Sequence, residues 1–507
     1  MKKLWKKLLA VTTAVMMAIT LLPAMANANA TDGKGSVTII KNGEKSDEFL
    51  AGAKFSFYKI ASITNSEGKD WKYTVEEAYR EKLGDNGIAK NLNDLPSSAW
   101  EAEIDVLAAI NATAIKESKA SAEKTGSTGA TELPLGVYLV KETTTPAGYV
   151  ASKPFIVSVP STDNYDTAGK EGTEFIYDIT AKPKNSKMSV DKTIVNEDKT
   201  AYIGGFVEYK VETQIPKYGT EYTNPVFNIY DKMSNGLSFV NDAAHKLKVF
   251  VGGTEIVEGE NTYTLATNGL SDEKTFEIQF AKAFLENKEN KGKKVEVTYY
   301  AQVNKNAVYI NENSANITYQ NKPGETTDAT PSKKNVYTYG IDLTKKGDKS
   351  ADADGLDGAE FTLAVANGEM ISILVNGTKV DVNGNSKDEF RTTTVGIKKG
   401  KLVFKGLKAG TYTLTETKSP SGYSLAKNPI TIVITANKDG SFASATVNEN
   451  TVTNDVKDGI VPVGLQNKSG FSLPATGGMG TYLFTIGGLV IMAGAALLLI
   501  ASRKRRA

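Results

Sequence analysis

The sequence predicts a mainly β chain of three tandem β-sandwich domains, and three observations lead to it. Short runs that alternate apolar and polar residues, such as Ser36-Val37-Thr38-Ile39-Ile40, Phe155-Ile156-Val157-Ser158-Val159 and Ile430-Thr431-Ile432-Val433-Ile434, are bounded by Gly, Asn, Asp and Pro. That is the pattern of half-buried antiparallel strands. About 450 residues lie between the two terminal apolar segments, enough for about three domains of ordinary size. An internal repeat links the first and last thirds: FLAGAKFSFY at Phe49 to Tyr58 corresponds to GLDGAEFTL at Gly355 to Leu363, and GVYLVKETTTPAGY at Gly136 to Tyr149 to GTYTLTETKSPSGY at Gly410 to Tyr423. Two units sharing one design are expected to share one fold.

The elements follow in order. Lys2, Lys3, Lys6 and Lys7, the apolar stretch Leu8 to Leu22 and the small residues Ala28-Asn29-Ala30 make residues 1–30 an export signal, so the mature chain is expected to begin at Thr31. The first domain, 31–185, has one region that does not read as strand. Between Tyr73 and Lys124 Ala, Glu and Lys dominate, and Trp100, Ile104, Leu107 and Ile110 recur at helical spacing, which predicts a short insertion of one or two helices. Composition shifts at Pro183-Lys184-Asn185 and again across Asn321 to Asn335, giving a middle domain over 186–335 and a third over 336–470. Tyr482 to Ala501 is uncharged and apolar, long enough for a transmembrane helix in the precursor, and Arg503-Lys504-Arg505-Arg506 would hold its end in the cytoplasm.

Charge narrows the function. The whole chain has 60 Lys+Arg against 58 Asp+Glu, but eight of the basic residues lie in the two terminal segments, leaving the mature part at 52 against 58, or −6. A mildly acidic exported protein does not suit nucleic-acid binding. The chain has no cysteine and one histidine, His245, so neither disulfides nor a His-based catalytic or metal cluster is available. Asp352-Ala353-Asp354-Gly355-Leu356-Asp357-Gly358 looks like a calcium loop but lacks the acidic twelfth position, and reads as a polar turn. No cofactor is expected. The chain is not read as an enzyme.

Leu473-Pro474-Ala475-Thr476-Gly477, followed by the apolar run and basic tail, resembles the LPxTG sorting signal of Gram-positive surface proteins, here 473–507. The resemblance implies cleavage by a sortase between Thr476 and Gly477, with the Thr476 carbonyl passed to an amine. The two repeated motifs are similar to those of the Cna-B-like sandwiches of Gram-positive pilins, whose G-x-Y-x-x-x-E-x-x-x-P-x-G-Y segment is the E-box. The middle domain has Val190-Asp191-Lys192-Thr193, Tyr230-Asp231-Lys232-Met233 and Asn313-Ser314-Ala315-Asn316-Ile317-Thr318-Tyr319, which resemble the related Cna-A-like sandwich. An Ig-like, Cna-type architecture is therefore implied throughout.

A sandwich that buries a Lys, an acid and an Asn together holds the reagents of an amide exchange. Burial disfavours charge on both the amine and the carboxyl. A neutral amine is a nucleophile, a protonated carboxyl can polarise the Asn carboxamide, and the fold supplies the effective molarity. Carried over from the isopeptide-forming pilins, the bonds expected are Lys41 to Asn185 with Glu142, Lys192 to Asn313 with Asp231, and Lys345 to Asn467 with Glu416. Asn316 competes with Asn313, and Asn454 with Asn467.

Phe175 to Asn185, ending Lys182-Pro183-Lys184-Asn185, resembles the pilin motif whose lysine resolves the sortase acyl-enzyme. Lys184 is the implied nucleophile, with Lys182 as alternative because it replaces the usual Tyr. The implied function is the backbone subunit of a covalent pilus, Lys184 of one subunit joined to Thr476 of the next. Implied partners are a pilus-specific and a housekeeping sortase, identical subunits, ancillary pilins and peptidoglycan. A non-polymerising wall-anchored adhesin, stalk or ancillary pilin is the alternative; it would not need Lys184.

Overall fold

Strand alternation places the core, and the same alternation places the buried lysines. Val37 and Ile39 are fully buried on the strand Lys34–Ile40, and the next residue of that parity, Lys41, is buried with them. Tyr339, Ile341, Leu343 and Lys345 repeat the pattern on Tyr339–Gly347, as do Val190 and Lys192 at the start of the middle sandwich. The structure, a computed structural model, describes residues 33–470 apart from 67–69, 84–102, 105, 163–174, 197–198, 367, 386 and 397, together with residues 485–496.

The first sandwich packs a sheet in which Lys34–Ile40 lies between Ser127–Pro134, antiparallel, and Asp178–Ala181, parallel, against one built on Lys54–Ser66, Gly136–Thr144 and Phe155–Val159. The third sandwich has the same plan. Its opening strand Tyr339–Gly347 runs parallel to its last, Ile460–Asn467, and a facing sheet contains Glu360–Val365, Gly410–Lys418 and Ile430–Ala436. The middle sandwich differs. One sheet orders Asp191–Ile194, Phe206–Gln214, Lys294–Val303 and Lys248–Val251, and the facing sheet contains Phe276–Phe280, Phe227–Met233 and the long strand Ile310–Lys322.

The described part of the insertion contains the helical segments expected, followed by an extended stretch. A helix spans Glu77–Leu83, with Tyr79 buried, and residues 106–108 are helical, with Leu107 packed against the same small core; Trp100 lies outside the described residues. From Lys116 the chain instead runs extended along Lys54–Ser66. The hydroxyls of Ser118 and Ser121 accept the Phe55 and Ala53 amides at 3.0 and 2.9 Å, a side-chain competition that composition does not reveal.

Strand pairing changes hands slightly beyond the composition shifts. Ser186–Lys187 still pairs back to Tyr149–Val150, and Asp191 opens the next sandwich. Ser332–Tyr337 pairs with Ile310–Lys322 and buries Val336 in the middle core, so the third sandwich begins at Tyr339. Among the described residues no helix is long and apolar enough to cross a membrane: of the predicted span 482–501 only residues 485–496 are described, and these are helical. The export signal, Leu473, Pro474, Ala475, Thr476, Gly477 and the basic tail lie outside the described residues.

Candidate functional site: three buried lysine, acid and asparagine clusters

In the first sandwich Lys41 and Asn185 come from neighbouring parallel chain segments and Glu142 from the facing sheet, where Tyr138 and Val140 set its inward parity. Lys41 Nζ lies 3.2 Å from Glu142 Oε2 and donates to the Pro183 carbonyl at 3.3 Å, while Asn185 Nδ2 donates to Glu142 Oε1 at 2.9 Å. Ser152 donates its amide and hydroxyl to Glu142 Oε2 at 2.8 and 2.9 Å. Asn185 Oδ1 is buried with no donor among the described residues. Exchanging the two ends of that amide would put Oδ1 against Oε1, which satisfies both if the carboxyl carries a proton.

The third sandwich repeats the arrangement. Gly347 is in register with Asn467, so Lys345 and Asn467 lie on adjacent parallel strands. Asn467 Nδ2 is 2.9 Å from both oxygens of Glu416, Lys345 Nζ is 3.7 Å from Glu416 Oε1, and the Ala426 amide donates to Oε2 at 2.8 Å. In both repeats a glycine in left-handed backbone packs on the lysine's own carbonyl. A Cβ at Gly126 (φ +61°) would sit 2.4 Å from the Lys41 oxygen, and one at Gly400 (φ +67°) 2.4 Å from the Lys345 oxygen.

The middle cluster spans the core. Lys192 comes from one sheet, Asp231 and Asn313 from the other, with Asp231 following Phe227 and Ile229 in parity and Asn313 preceding Ala315, Ile317 and Tyr319. Lys192 Nζ donates to Asp231 Oδ2 at 2.5 Å. Tyr299, which the sequence reading missed, completes the group. Its hydroxyl touches Lys192 Nζ, donates to Asp231 Oδ2 at 2.5 Å and accepts from Asn313 Nδ2 at 3.2 Å. The available signal was its place in Lys294–Val303, where Val295, Val297, Tyr299 and Ala301 all face inward: a buried phenol needs a polar partner.

Burial governs the electrostatics. Desolvation pushes the Lys41 and Lys192 amines down to about 8 against the pull of Glu142 and Asp231, and lowers Lys345 in the same way. Desolvation raises the Asp231 carboxyl, with Lys192 opposing, and holds the Tyr299 phenol well above its ordinary value. Amines that give up their proton this readily, beside carboxyls and carboxamides, can react as nucleophiles.

The competing asparagines are elsewhere. Asn454 is exposed in the turn Thr453–Asp455, and Asn316 lies on the opposite face of its strand under Tyr230, donating to its hydroxyl at 3.1 Å. Lys184 is exposed beside Asn185, and Lys182 is half-buried. The acids of the calcium-like turn serve local bonds: Asp352 accepts from Tyr423 and Asp357 from Gly400 and Thr394, each at 2.6 Å.

Residues 35–173 and 340–450 match a family model described as a prealbumin-like fold domain, 203–323 one described as Gram-positive pilin backbone subunit 2, Cna-B-like domain, and 466–507 the LPXTG cell wall anchor motif. The middle sandwich, read from sequence as Cna-A-like, thus matches a Cna-B-like description. Curated relatives include a fimbrial subunit type 2 of Actinomyces naeslundii, 28% identical over 89% of this chain and 82% of the relative, and a fimbrial subunit type 1 of Actinomyces viscosus, 27% identical over 82% and 81%. Among solved structures, the T6 backbone pilin of Streptococcus pyogenes serotype M6 superposes with a TM-score of 0.57 at 18% identity, covering 87% of this chain and 99% of that one. The full-length major pilin SpaD of Corynebacterium diphtheriae gives 0.50 at 20%, covering 86% and 97%. At these identities the structural likeness speaks for the fold.

Proposed function

The chain belongs to the wall-anchored backbone pilins of Gram-positive bacteria, and on that premise we propose that three self-formed Lys–Asn isopeptide bonds and one intersubunit Lys–Thr bond make it a covalent fibre. The observation that supports the internal bonds is the recurrence, in three sandwiches, of a fully buried lysine beside an acid, with a buried asparagine bonded to that acid in the first and third and to the Tyr299 hydroxyl that links them in the middle. The neutral amine of Lys41, Lys192 or Lys345 adds to Cγ of Asn185, Asn313 or Asn467. The carboxyl of Glu142, Asp231 or Glu416 stabilises the oxyanion by hydrogen bonding. The carboxamide nitrogen leaves as ammonia once it has gained the proton shed by the attacking amine, and the lysine nitrogen keeps one hydrogen in the new amide. Each site turns over once, on itself.

For polymerisation, a pilus-specific sortase would cleave after Thr476 and pass its carbonyl to the exposed Lys184 of the next subunit. A housekeeping sortase would transfer the finished polymer to peptidoglycan, and ancillary pilins would join the same chain. Lys184 suits this role because it is exposed while its neighbour Asn185 is fixed in the core. The test is the intact mass of residues 31–476 followed by peptide mapping. Three closed bonds remove three ammonias, about 17 Da each, through proximity alone. A full-length mass without deficit would refute the internal bonds.

A further inference from the structure

We propose that Tyr299 is a catalytic residue of the middle crosslink, its hydroxyl shuttling the proton from the attacking Lys192 amine to the departing Asn313 nitrogen; this rests on the middle bond proposed above. The three clusters solve the same chemical problem with different parts. In the first and third, the acid's second oxygen takes a backbone amide, from Ser152 or Ala426, and the Asn donates directly to the acid. In the middle cluster that oxygen takes the Tyr299 hydroxyl, and the hydrogen bond that ties Asn313 to the pair runs to the same hydroxyl.

One oxygen therefore contacts the nucleophilic nitrogen, the leaving nitrogen and the acid. It donates once and accepts twice, which is the full capacity of a phenol. The ring is fixed by stacking on Tyr209, centroids 5.5 Å apart, with Phe276 edge-on at 4.9 Å, and its position on the lysine's own sheet keeps it beside Nζ as the sheets meet. The proton balance is complete. Nζ adds to Cγ and the carbonyl electron pair moves to Oδ1. Nζ gives one proton to the Tyr299 oxygen while Tyr299 gives its own to Nδ2. The C–Nδ2 bond breaks, ammonia leaves, and the carbonyl re-forms. The phenol is unchanged at the end, and its resistance to ionisation in this core keeps a proton available to give.

The experiment follows closure of each bond over time in freshly synthesised full-length chain, by mass spectrometry of the three linked peptides. In Tyr299→Phe, the Lys41–Asn185 and Lys345–Asn467 peptides should appear with wild-type timing while the Lys192–Asn313 peptide lags by roughly tenfold or more, as loss of acid–base assistance implies. A middle bond closing at the wild-type rate in Tyr299→Phe overturns the role of Tyr299 alone. A wild-type chain that never links Lys192 to Asn313 overturns the middle bond itself and this role with it. Site-specific 3-fluorotyrosine at position 299 preserves shape and hydroxyl while making the phenol more acidic. It should move the pH profile of middle-bond closure and leave the other two unmoved; an unmoved middle profile shows that Tyr299 only packs.

Discussion

Asn313→Ala removes the proposed middle electrophile and leaves Lys192 and Asp231 in place, so it separates two effects of the proposed crosslink. The first is chain entropy. Lys192 and Asn313 enclose about 120 residues, and a covalent tie around a loop of that size stabilises by about 5 kcal/mol in the loop-closure model. For a domain of about 150 residues this lowers the melting temperature by roughly 10–20 °C. The second is the stranded amine. Lys192 is pushed from 10.5 down to about 8 by burial. Between those values the unfolded chain holds the proton and the native chain does not, so native stability rises with pH through that window. Below pH 8 both states are protonated and the penalty, roughly 3 kcal/mol, is present in full. Calorimetry from pH 7 to 10.5 should therefore show the middle transition of Asn313→Ala recovering with pH relative to Lys192→Met, which lacks both bond and amine. A transition within about 2 °C of wild type, with the bond shown absent by peptide mapping, would refute the entropic account. Parallel pH curves for the two variants would refute the buried-amine account.

Three further outcomes are expected. Lys184→Ala should abolish the detergent-resistant ladder of polymers on electrophoresis of wall extracts while leaving the internal mass deficit intact, and Lys182→Ala should leave the ladder unchanged. Glu142→Ala, Asp231→Ala and Glu416→Ala should each reduce the deficit by one ammonia, about 17 Da, because proximity without the carboxyl leaves the amide unpolarised. Asn454→Ala and Asn316→Ala should keep the wild-type mass deficit, since neither side chain shares a core face with a lysine.

The candidate site was legible chiefly through motifs that resemble those of the isopeptide-forming pilins, and strand parity explains why the residues so named face inward. Parity carries Lys41, Lys345 and Asn467 inward from the Val and Ile that precede them, and the repeated motif fixes Glu142 and Glu416 at equivalent places. Asn313 and Asn316 were separable by the same rule, since they differ by an odd number and must face opposite sides of the sheet. What the sequence concealed was tertiary. Tyr299 reaches Lys192 only because Phe206–Gln214 lies between their strands and the sheet twists both side chains over Tyr209, contacts with no local signature. Composition marked Tyr73 to Lys124 as a region of one or two helices without saying where they end, and buried serine hydroxyls bind its last part, from Lys116, to a strand edge.

The positions of the bonds also decide which of them would bear load. If tension enters at Lys184 and leaves at Thr476, the polypeptide before Lys184 is off the path, so the proposed Lys41–Asn185 bond would stabilise the first sandwich without being stretched. With the proposed bonds closed, the covalent route would run from Lys184 through Lys192, cross the core to Asn313, continue to Lys345 and cross within one sheet to Asn467. Each crossing bypasses about 120 residues, which at full extension span about 400 Å. Single-molecule pulling on fibres assembled through their natural linkage, with extension counted per subunit, should give a short, nearly inextensible trace for wild type. Lys192→Ala and Lys345→Ala should each release about 400 Å of new contour length. Lys41→Ala should release none, even though it removes a bond and lowers the melting temperature of its own domain. A Lys41→Ala trace that lengthens like the others would mean that force reaches the first sandwich, and so that the subunit is joined somewhere upstream of Lys184.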